Sequence, residues 1–493
     1  MPSKIGEKLA KIVTCKVAYD RQALDLYSVD ASSYIVRPSA IAFPENEKDV
    51  MKIVRFALRN KTSVTPRGAG TGLVGGSLGT GIILDMRHFD KIKVGRRFVQ
   101  AGSGVSKGIL DDTLRRHNRF LGPNPSIGPF CTIGGMIGTN ASGSHSLKYG
   151  STADNLIQVK MVTSKGSIVT LPKKNNTTKK ILAIVKPQMQ RQFPRVSKNS
   201  CGYRIDKIRS GNDLHKIMAG SEGTLGIITS AMLKTFDLPK QSILTIISYK
   251  SLKGAVIDVP KILKLGPSAV EIIDHNIIKH ITAKTPNSTK CLLFVEFDDN
   301  ISKKKAKVKD VSSGKIIFST TRYDQIMQWW TFRNSALSYS LKSISRQETV
   351  SSLIEDATVP VHRLPLLLDL VEYLTSRYPM RVITYGHVGN GNLHIRPILK
   401  KKDAHLIKKI ALEFFSGVIS IGGTITGEHG DGLARSEFVK LQYGDEVYSI
   451  FKKIKQFFDP TNTFNPGKII SNYNIDSKFF ILSLFQVEHL RSQ

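Results

Sequence analysis

Three imidazoles and one carboxylate in the C-terminal part of the chain are the residues best suited to chemistry. His387 and His394 flank Val388-Gly389-Asn390-Gly391-Asn392-Leu393, and Glu428-His429 sits in a second Gly-framed turn, TGEHGDG. Residues seven apart on a straight strand point to opposite faces, so the glycines must bend the chain if the two rings are to converge. His387, His394 and Glu428 would then make a site for Zn²⁺ or a similar divalent cation. Two ordinary histidines near strand ends would give the same spacing, and the flanking glycines weigh against that reading. Arg396 follows His394 by two, which on a strand puts both on one side. A guanidinium fork there suits a carboxylate ligand, and Tyr385 is a lesser candidate for the same pocket.

Such residues need a frame, and the first half of the chain supplies three glycine-rich blocks. The first runs Pro66-Arg67-Gly68-Ala69-Gly70-Thr71-Gly72-Leu73-Val74-Gly75-Gly76. Small residues let backbone N–H groups approach a phosphate, with positive φ open to Gly, and successive N–H groups form an anion-binding nest. The GxGxxG match from Gly70 to Gly75 is weak evidence and opens no amphipathic helix. The missing GK[ST] excludes a P-loop, and a flexible turn is the rival reading of this block alone. The second block, PNPSIGPFCTIGGMIGTNASGSHSLKYG at 123–150, is poor in charge and of a composition that rarely forms regular structure, yet too apolar for disorder. The third, AGSEGTLGIIT at 219–229, leads into a strand. Three such blocks predict one extended, multi-ring phosphate ligand.

The 493 residues imply more than one domain. A strand and then a helix are expected over 40–58, where Val50, Ile53, Val54, Ala57 and Leu58 recur at helical spacing. IILDM reads as a strand, 105–117 as a helix, and 155–171 as a hairpin turning at Ser164-Lys165-Gly166. After a break at Leu238-Pro239, QSILTIISY and KCLLFVEFDD read as strands and LPLLLDLVEYLTSRYP as an amphipathic helix. The net charge is +33, which favours anionic partners. The densest run, Lys303-Lys304-Lys305 with Lys307 and Lys309, reads as a solvated loop or helix end, and no nucleic-acid motif accompanies it. Cys15, Cys131, Cys201 and Cys291 form no CxxC pair, which predicts no zinc ribbon or iron–sulfur cluster and fits a reducing cytosol. No signal-peptide pattern and no run of 18 apolar residues occurs. The apolar tail KFFILSLF reads as a packing or partner-docking segment.

Six ordered motifs carry a resemblance: PRGAGTGLVGG, TIGGMIGTNASGSHSLKYG, GSEGTLGIIT, GHVGNGNLHIRP, GTITGEHGDGL and FDPTNTFNPGKI. Together, over residues 20–470, they resemble the vanillyl-alcohol oxidase flavoprotein superfamily. The likeness is to the branch of glycolate oxidase flavoprotein subunits, cytochrome-type D-lactate dehydrogenases and D-2-hydroxyglutarate dehydrogenase. The resemblance implies an α+β fold, with a two-subdomain PCMH-type FAD-binding domain over 1–239, an α+β C-terminal substrate (cap) domain over 240–470, and a tail. It implies that Arg67, Gly68, Ala69, Gly70, Thr71, Gly72, Gly75 and Gly76 wrap the FAD pyrophosphate. Thr132, Gly135, Ser142 and Gly143 would follow the ribityl chain and ring. Glu222, Gly223 and Ile228 would line the adenine end, and Asn465 would return to the isoalloxazine. The first block has no His, so noncovalent FAD is expected.

The same resemblance implies that His387, His394 and Glu428 ligate the metal, that His429 is the catalytic base, and that Arg333 in WWTFRNS binds the substrate, with Arg396 as second candidate. Relatives often have Asp where Asn390 stands. D-2-hydroxyglutarate dehydrogenases carry a substrate Lys where LIEDATVP has Ile354, which argues against that substrate. The expected reaction is oxidation of a D-2-hydroxy acid of glycolate or lactate type. Its electrons would leave to a separate iron–sulfur subunit or a membrane acceptor, in a cytoplasmic protein that can sit at the inner membrane face, with homo-oligomerisation left open. The rivals are another FAD-dependent alcohol oxidation, an ether-synthase-like reaction, and a non-catalytic basic protein that binds nucleic acid or membrane surfaces. The retained glycine blocks and His429 speak against the last.

Overall fold

A computed structural model describes residues 4–173, 176–185, 191–280 and 285–471. The KFFILSLF segment lies outside the described residues. The first strands are β1 (Lys16–Ala18), β2 (Ala40–Phe43), β3 (Val64–Arg67) and β4 (Ile82–Asp85), in the sheet order β1-β2-β4-β3. The helix Glu47–Arg59 covers this sheet. Its start is fixed by the Asn46 side chain accepting the Asp49 N–H, with Glu47 and Asp49 in the first turn and Arg59 in the last. Val50, Ile53, Val54 and Ala57 are fully buried, so the helical spacing marks the packed face.

A second sheet takes β5 (Ile92–Val94), β6 (Phe98–Gly102), β7 (Arg119–Leu121), β8 (Leu156–Val162), β9 (Ile168–Leu171) and β10 (Ile227–Asp237). Its order is β5-β6-β10-β8-β9, with β7 on the far end of β10. The expected hairpin is β8–β9, closed by Thr163 and Ser167 across positive-φ Gly166. The third sheet holds β11 (Ile243–Tyr249), β12 (Ala269–Asp274), β13 (Cys291–Phe297), β14 (Lys315–Thr320), β15 (Glu348–Val350), β16 (Ala357–Thr358), β17 (Met380–Gly386) and β18 (Asn392–Lys400). The order is β14-β11-β13-β12-β17-β18-β15, with β16 on β18. In β11 and β13, Ile243, Ile247, Leu293 and Val295 join one core, while Leu244, Ile246, Leu292 and Phe294 join another against Ile326 and Trp330. Helices on both faces explain why these strands read as continuous apolar runs.

Three expectations change. Within 123–150 the chain winds the short helices Ile133–Thr139 and Ser146–Tyr149, the first capped by the Thr132 hydroxyl accepting the Gly135 N–H. The lysine run lies within the helix Ile301–Val311, its charges around one buried apolar residue, Val308. A boundary at 239/240 describes the sheets but not the C-terminal end. Phe464 is buried in the first lobe's core with Val64 and Ile82, and the Asn465 N–H donates to the Val64 carbonyl.

Candidate functional site

A long cavity runs along the glycine blocks and ends at the histidines. Its wall includes Arg67, Gly68, Ala69, Gly70, Thr71, Gly72 and Gly76 from the first block and Thr132, Gly135 and Ser142 from the second. Glu222, Gly223 and Ile228 come from the third. Arg333, Tyr385, His394, Glu428 and His429 close one end. Arg67 is anchored by donating to the Val29 carbonyl at 2.8 Å, with its guanidinium over the Tyr27 ring. A Cβ at Gly68 would sit 2.2 Å from Thr132 Oγ1, so the first two blocks touch only because Gly68 has no side chain. A Cβ at Gly72 would meet nothing within 4 Å. That open cradle fits a large ligand passing along the backbone.

Three expected cofactor residues do not face this cavity. Gly75 packs its positive-φ turn against Leu433 and Tyr34. Gly143 donates its N–H to Glu428 at 2.8 Å. Asn465 is fully buried; its Nδ2 donates to the Gly76 and Glu222 carbonyls at 2.8 and 2.7 Å, and Thr65 donates to its Oδ1. It ties the first and third blocks together. Glu222, expected at the adenine end, lines the cavity. Its carboxylate accepts the N–H groups of Asp431 at 2.5 Å and Gly432 at 2.8 Å, beside the His429 turn. Burial, then the nearby Asp431 charge, push the Glu222 carboxyl up to about 8.

His387, just past β17, and His394, on β18, are brought together by a tight loop. Gly386 and Gly391 have φ of 149° and 72°, and the His387 and His394 ring centroids lie 5.3 Å apart. Glu428 joins them. Its Oε1 lies 2.7 Å from His387 Nε2 and 3.4 Å from His394 Nε2. Its Oε2 accepts from Ser142 Oγ at 2.7 Å, Gly143 N–H at 2.8 Å and Lys198 Nζ at 2.9 Å. Burial opposes the Glu428 charge, but His387 and Lys198 outweigh it and hold the carboxyl well below the usual range. His387 Nδ1 meets Glu271 Oε1 at 2.8 Å, which directs Nε2 at Glu428. His387 itself stands behind the cavity wall. Burial lowers His394 to about 4, and its Nδ1 has no hydrogen-bond partner.

His429 stacks on His394, with centroids 4.9 Å apart and planes 6° from parallel. Its Nδ1 meets Glu355 Oε1 at 2.6 Å. Asp356 Oδ2 accepts the backbone N–H groups of Glu428 and His429 at 2.9 and 2.8 Å, fixing the turn. Burial alone would lower the His429 imidazole, but the Glu355 and Asp356 carboxylates raise it to about 9. Arg333, on the helix Tyr323–Asn334, reaches the cavity end and pairs with buried Glu271. Arg396 does not line the cavity. It pairs with Glu355 at 3.0 Å and donates to the Tyr385 hydroxyl at 3.1 Å, so its fork is already occupied. Donor atoms of His387, His394 and Glu428 lie within 4.8 Å of one another, as do those of Glu355, His394 and His429.

Sequence reasoning missed Glu271, Lys198, the Glu355–Asp356 pair as site residues, and Arg435. Glu271 left a signal, an acid in the middle of the buried, otherwise largely apolar strand AVEIID. Lys198, in SKNSCGY, left none.

Family comparison bears on the same residues. Residues 38–172 match the family described as FAD binding domain, and 238–469 match FAD linked oxidases, C-terminal domain. The chain belongs to the FAD-linked oxidases. The chain is 30% identical to D-2-hydroxyglutarate dehydrogenase of Escherichia coli K12 over 91% of its length, but spans only 50% of that relative. It is 29% identical to the glycolate oxidase subunit GlcD of Bacillus subtilis, covering 90% of this chain and 92% of the relative. A D-lactate dehydrogenase of Anaerostipes hadrus is 28% identical, with 88% and 90% covered. Among solved structures, an alkyldihydroxyacetonephosphate synthase superposes with a TM-score of 0.67 at 18% identity, covering 94% of this chain and 84% of that one. The 6-hydroxy-D-nicotine oxidase of Arthrobacter nicotinovorans gives 0.60 at 16%, with 93% and 98% covered. These place the chain in the two-domain, α+β PCMH-type FAD-binding fold.

Proposed function

We propose that the chain oxidises a small D-2-hydroxy acid, of glycolate or D-lactate type, to the 2-oxo acid. The observation that carries this reading is the cavity end itself. One buried guanidinium, Arg333, stands with His429, His394 and Glu428 where a cavity built on three glycine blocks terminates. Noncovalently bound FAD would supply the hydride acceptor, at flavin N5, and no His lies between Pro66 and Gly76 to attach it. A divalent cation such as Zn²⁺ on His387, His394 and Glu428 would polarise the substrate hydroxyl and draw His429 back toward neutrality. The close donor atoms support such a site.

The chain's own residues have separable tasks. Arg333 pairs with the substrate carboxylate, and Glu271 holds the guanidinium in place. Glu355 keeps the proton of His429 on Nδ1, which leaves Nε2 to take the hydroxyl proton. The apolar wall lets the hydride move without competing water.

Electrons then leave to a separate iron–sulfur protein, quinone or cytochrome. The four buried, unpaired cysteines support a cytoplasmic setting, and the net charge of +33 supports contact with an anionic membrane face. Among the described residues no helix is long and apolar enough to cross a membrane. His429→Ala is expected to retain flavin while losing anaerobic flavin reduction by the substrate acid. Single-turnover reduction at the parent rate in that variant removes His429 from the role of base.

A further inference from the structure

The group His387, His394 and Glu428 lies inside a larger set of buried charges. Contacts of 3.9 Å or less join four carboxylates, Glu271, Glu355, Asp356 and Glu428, through the histidines to four basic side chains, Lys198, Arg333, Arg396 and Arg435. All eight are buried. Four negative charges thus face four positive ones before any imidazole is counted. A divalent cation entering alone would leave two positive charges uncompensated in a region of low polarisability, which is costly. An anionic substrate restores part of the balance.

The four cations differ in what else they do. Arg333 faces the cavity, while Arg396 and Arg435 grip Glu355. Lys198 does not line the cavity, and its Nζ reaches Glu428 Oε2 at 2.9 Å. With Ser142 and Gly143 it fills that oxygen, so only Oε1 is directed at the histidines.

We propose that Lys198 is a positioning residue that serves as the built-in counter-cation of Glu428. A divalent cation therefore binds at His387, His394 and Glu428 weakly alone and tightly together with a 2-hydroxy or 2-oxo carboxylate. This rests on the metal reading given above. Linkage makes the effect reciprocal: the cation strengthens anion binding by the same factor. Lys198 thereby makes cation occupancy depend on substrate and confines Glu428 to one ligating oxygen.

The test is Zn²⁺ affinity of the flavin-loaded protein, read by competition with a chromophoric chelator, with and without pyruvate or glyoxylate, which cannot reduce flavin. In the parent protein a 2-oxo acid is expected to strengthen Zn²⁺ binding. In Lys198→Met, Zn²⁺ alone should bind at least about tenfold more tightly, and the enhancement by anion should shrink. Lys198→Gln, which keeps a hydrogen-bond donor, should behave likewise, and flavin content reports whether either variant is folded. If both variants hold flavin and bind Zn²⁺ no more tightly than the parent, the counter-cation role is overturned. If Zn²⁺ binding is lost in His387→Ala yet indifferent to Lys198, that role alone fails. If Zn²⁺ binding does not depend on His387, the metal reading fails with it.

Discussion

Glu355 offers the sharpest test of how the base is held. Its Oε1 meets His429 Nδ1 at 2.6 Å, and it is fully buried. Glu355→Gln keeps shape and volume but removes the charge and lets an amide NH₂ face the imidazole. A hydrogen bond to a charged group contributes about 1.5–3 kcal/mol, so losing it should slow flavin reduction roughly 10- to 150-fold. The same change leaves Arg396 and Arg435 short of a partner carboxylate, and breaking buried pairs costs about 3–5 kcal/mol of stability. The assay must therefore separate the two effects. Stopped-flow reduction of the flavin is measured without oxygen and expressed per bound flavin, with thermal unfolding followed on the same sample. Per-flavin reduction within about twofold of the parent would refute the claim that Glu355 sets the His429 tautomer.

Two further outcomes follow from particular residues. Gly432 has φ of 52°, and a Cβ there would lie 2.2 Å from the Val74 carbonyl oxygen; Gly432→Ala should cost at least about 1–3 kcal/mol and weaken flavin retention, and unchanged melting with full flavin content would contradict this. Burial opposes the Asp154 charge, but Lys207 and Ser151 outweigh it and lower the carboxyl from 3.8 to about 2. Its stabilising contribution is thus complete above the unfolded value near 3.8 and lost as pH falls toward about 2. Denaturant melts of Asp154→Asn and the parent should differ above about pH 4 and converge below it; curves that stay parallel would remove the pair from the acid response.

Much of the frame was legible because local rules wrote it. The period of Val50, Ile53, Val54 and Ala57 marked a packed helix face, and the turn at Ser164-Lys165-Gly166 marked a hairpin. The glycines around His387 and His394 announced a bend, and the chain bends there. What escaped depends on contacts between distant segments. Lys198 and Glu428 are 230 residues apart, and nothing near Lys198 in sequence points to its partner. Asn465 was placed at a ring by motif, whereas folding turned its amide onto Gly76 and Glu222. Arg396 shares a strand side with His394 but is held by Glu355 and Tyr385, because a buried guanidinium must find its partners wherever the fold supplies them.

The central claim is that a flavin in the glycine-walled cavity is reduced by a small 2-hydroxy acid held at Arg333 and His429. The most direct measurement is the visible spectrum of the purified protein, reconstituted with FAD where needed, during anaerobic addition of D- and L-2-hydroxy acids one at a time. The expected result is a flavin spectrum bleached by a small D-acid (or by glycolate, which has no handedness) and not by the L-enantiomer. A bound flavin that no 2-hydroxy acid bleaches, or a protein that takes up no flavin, would contradict it.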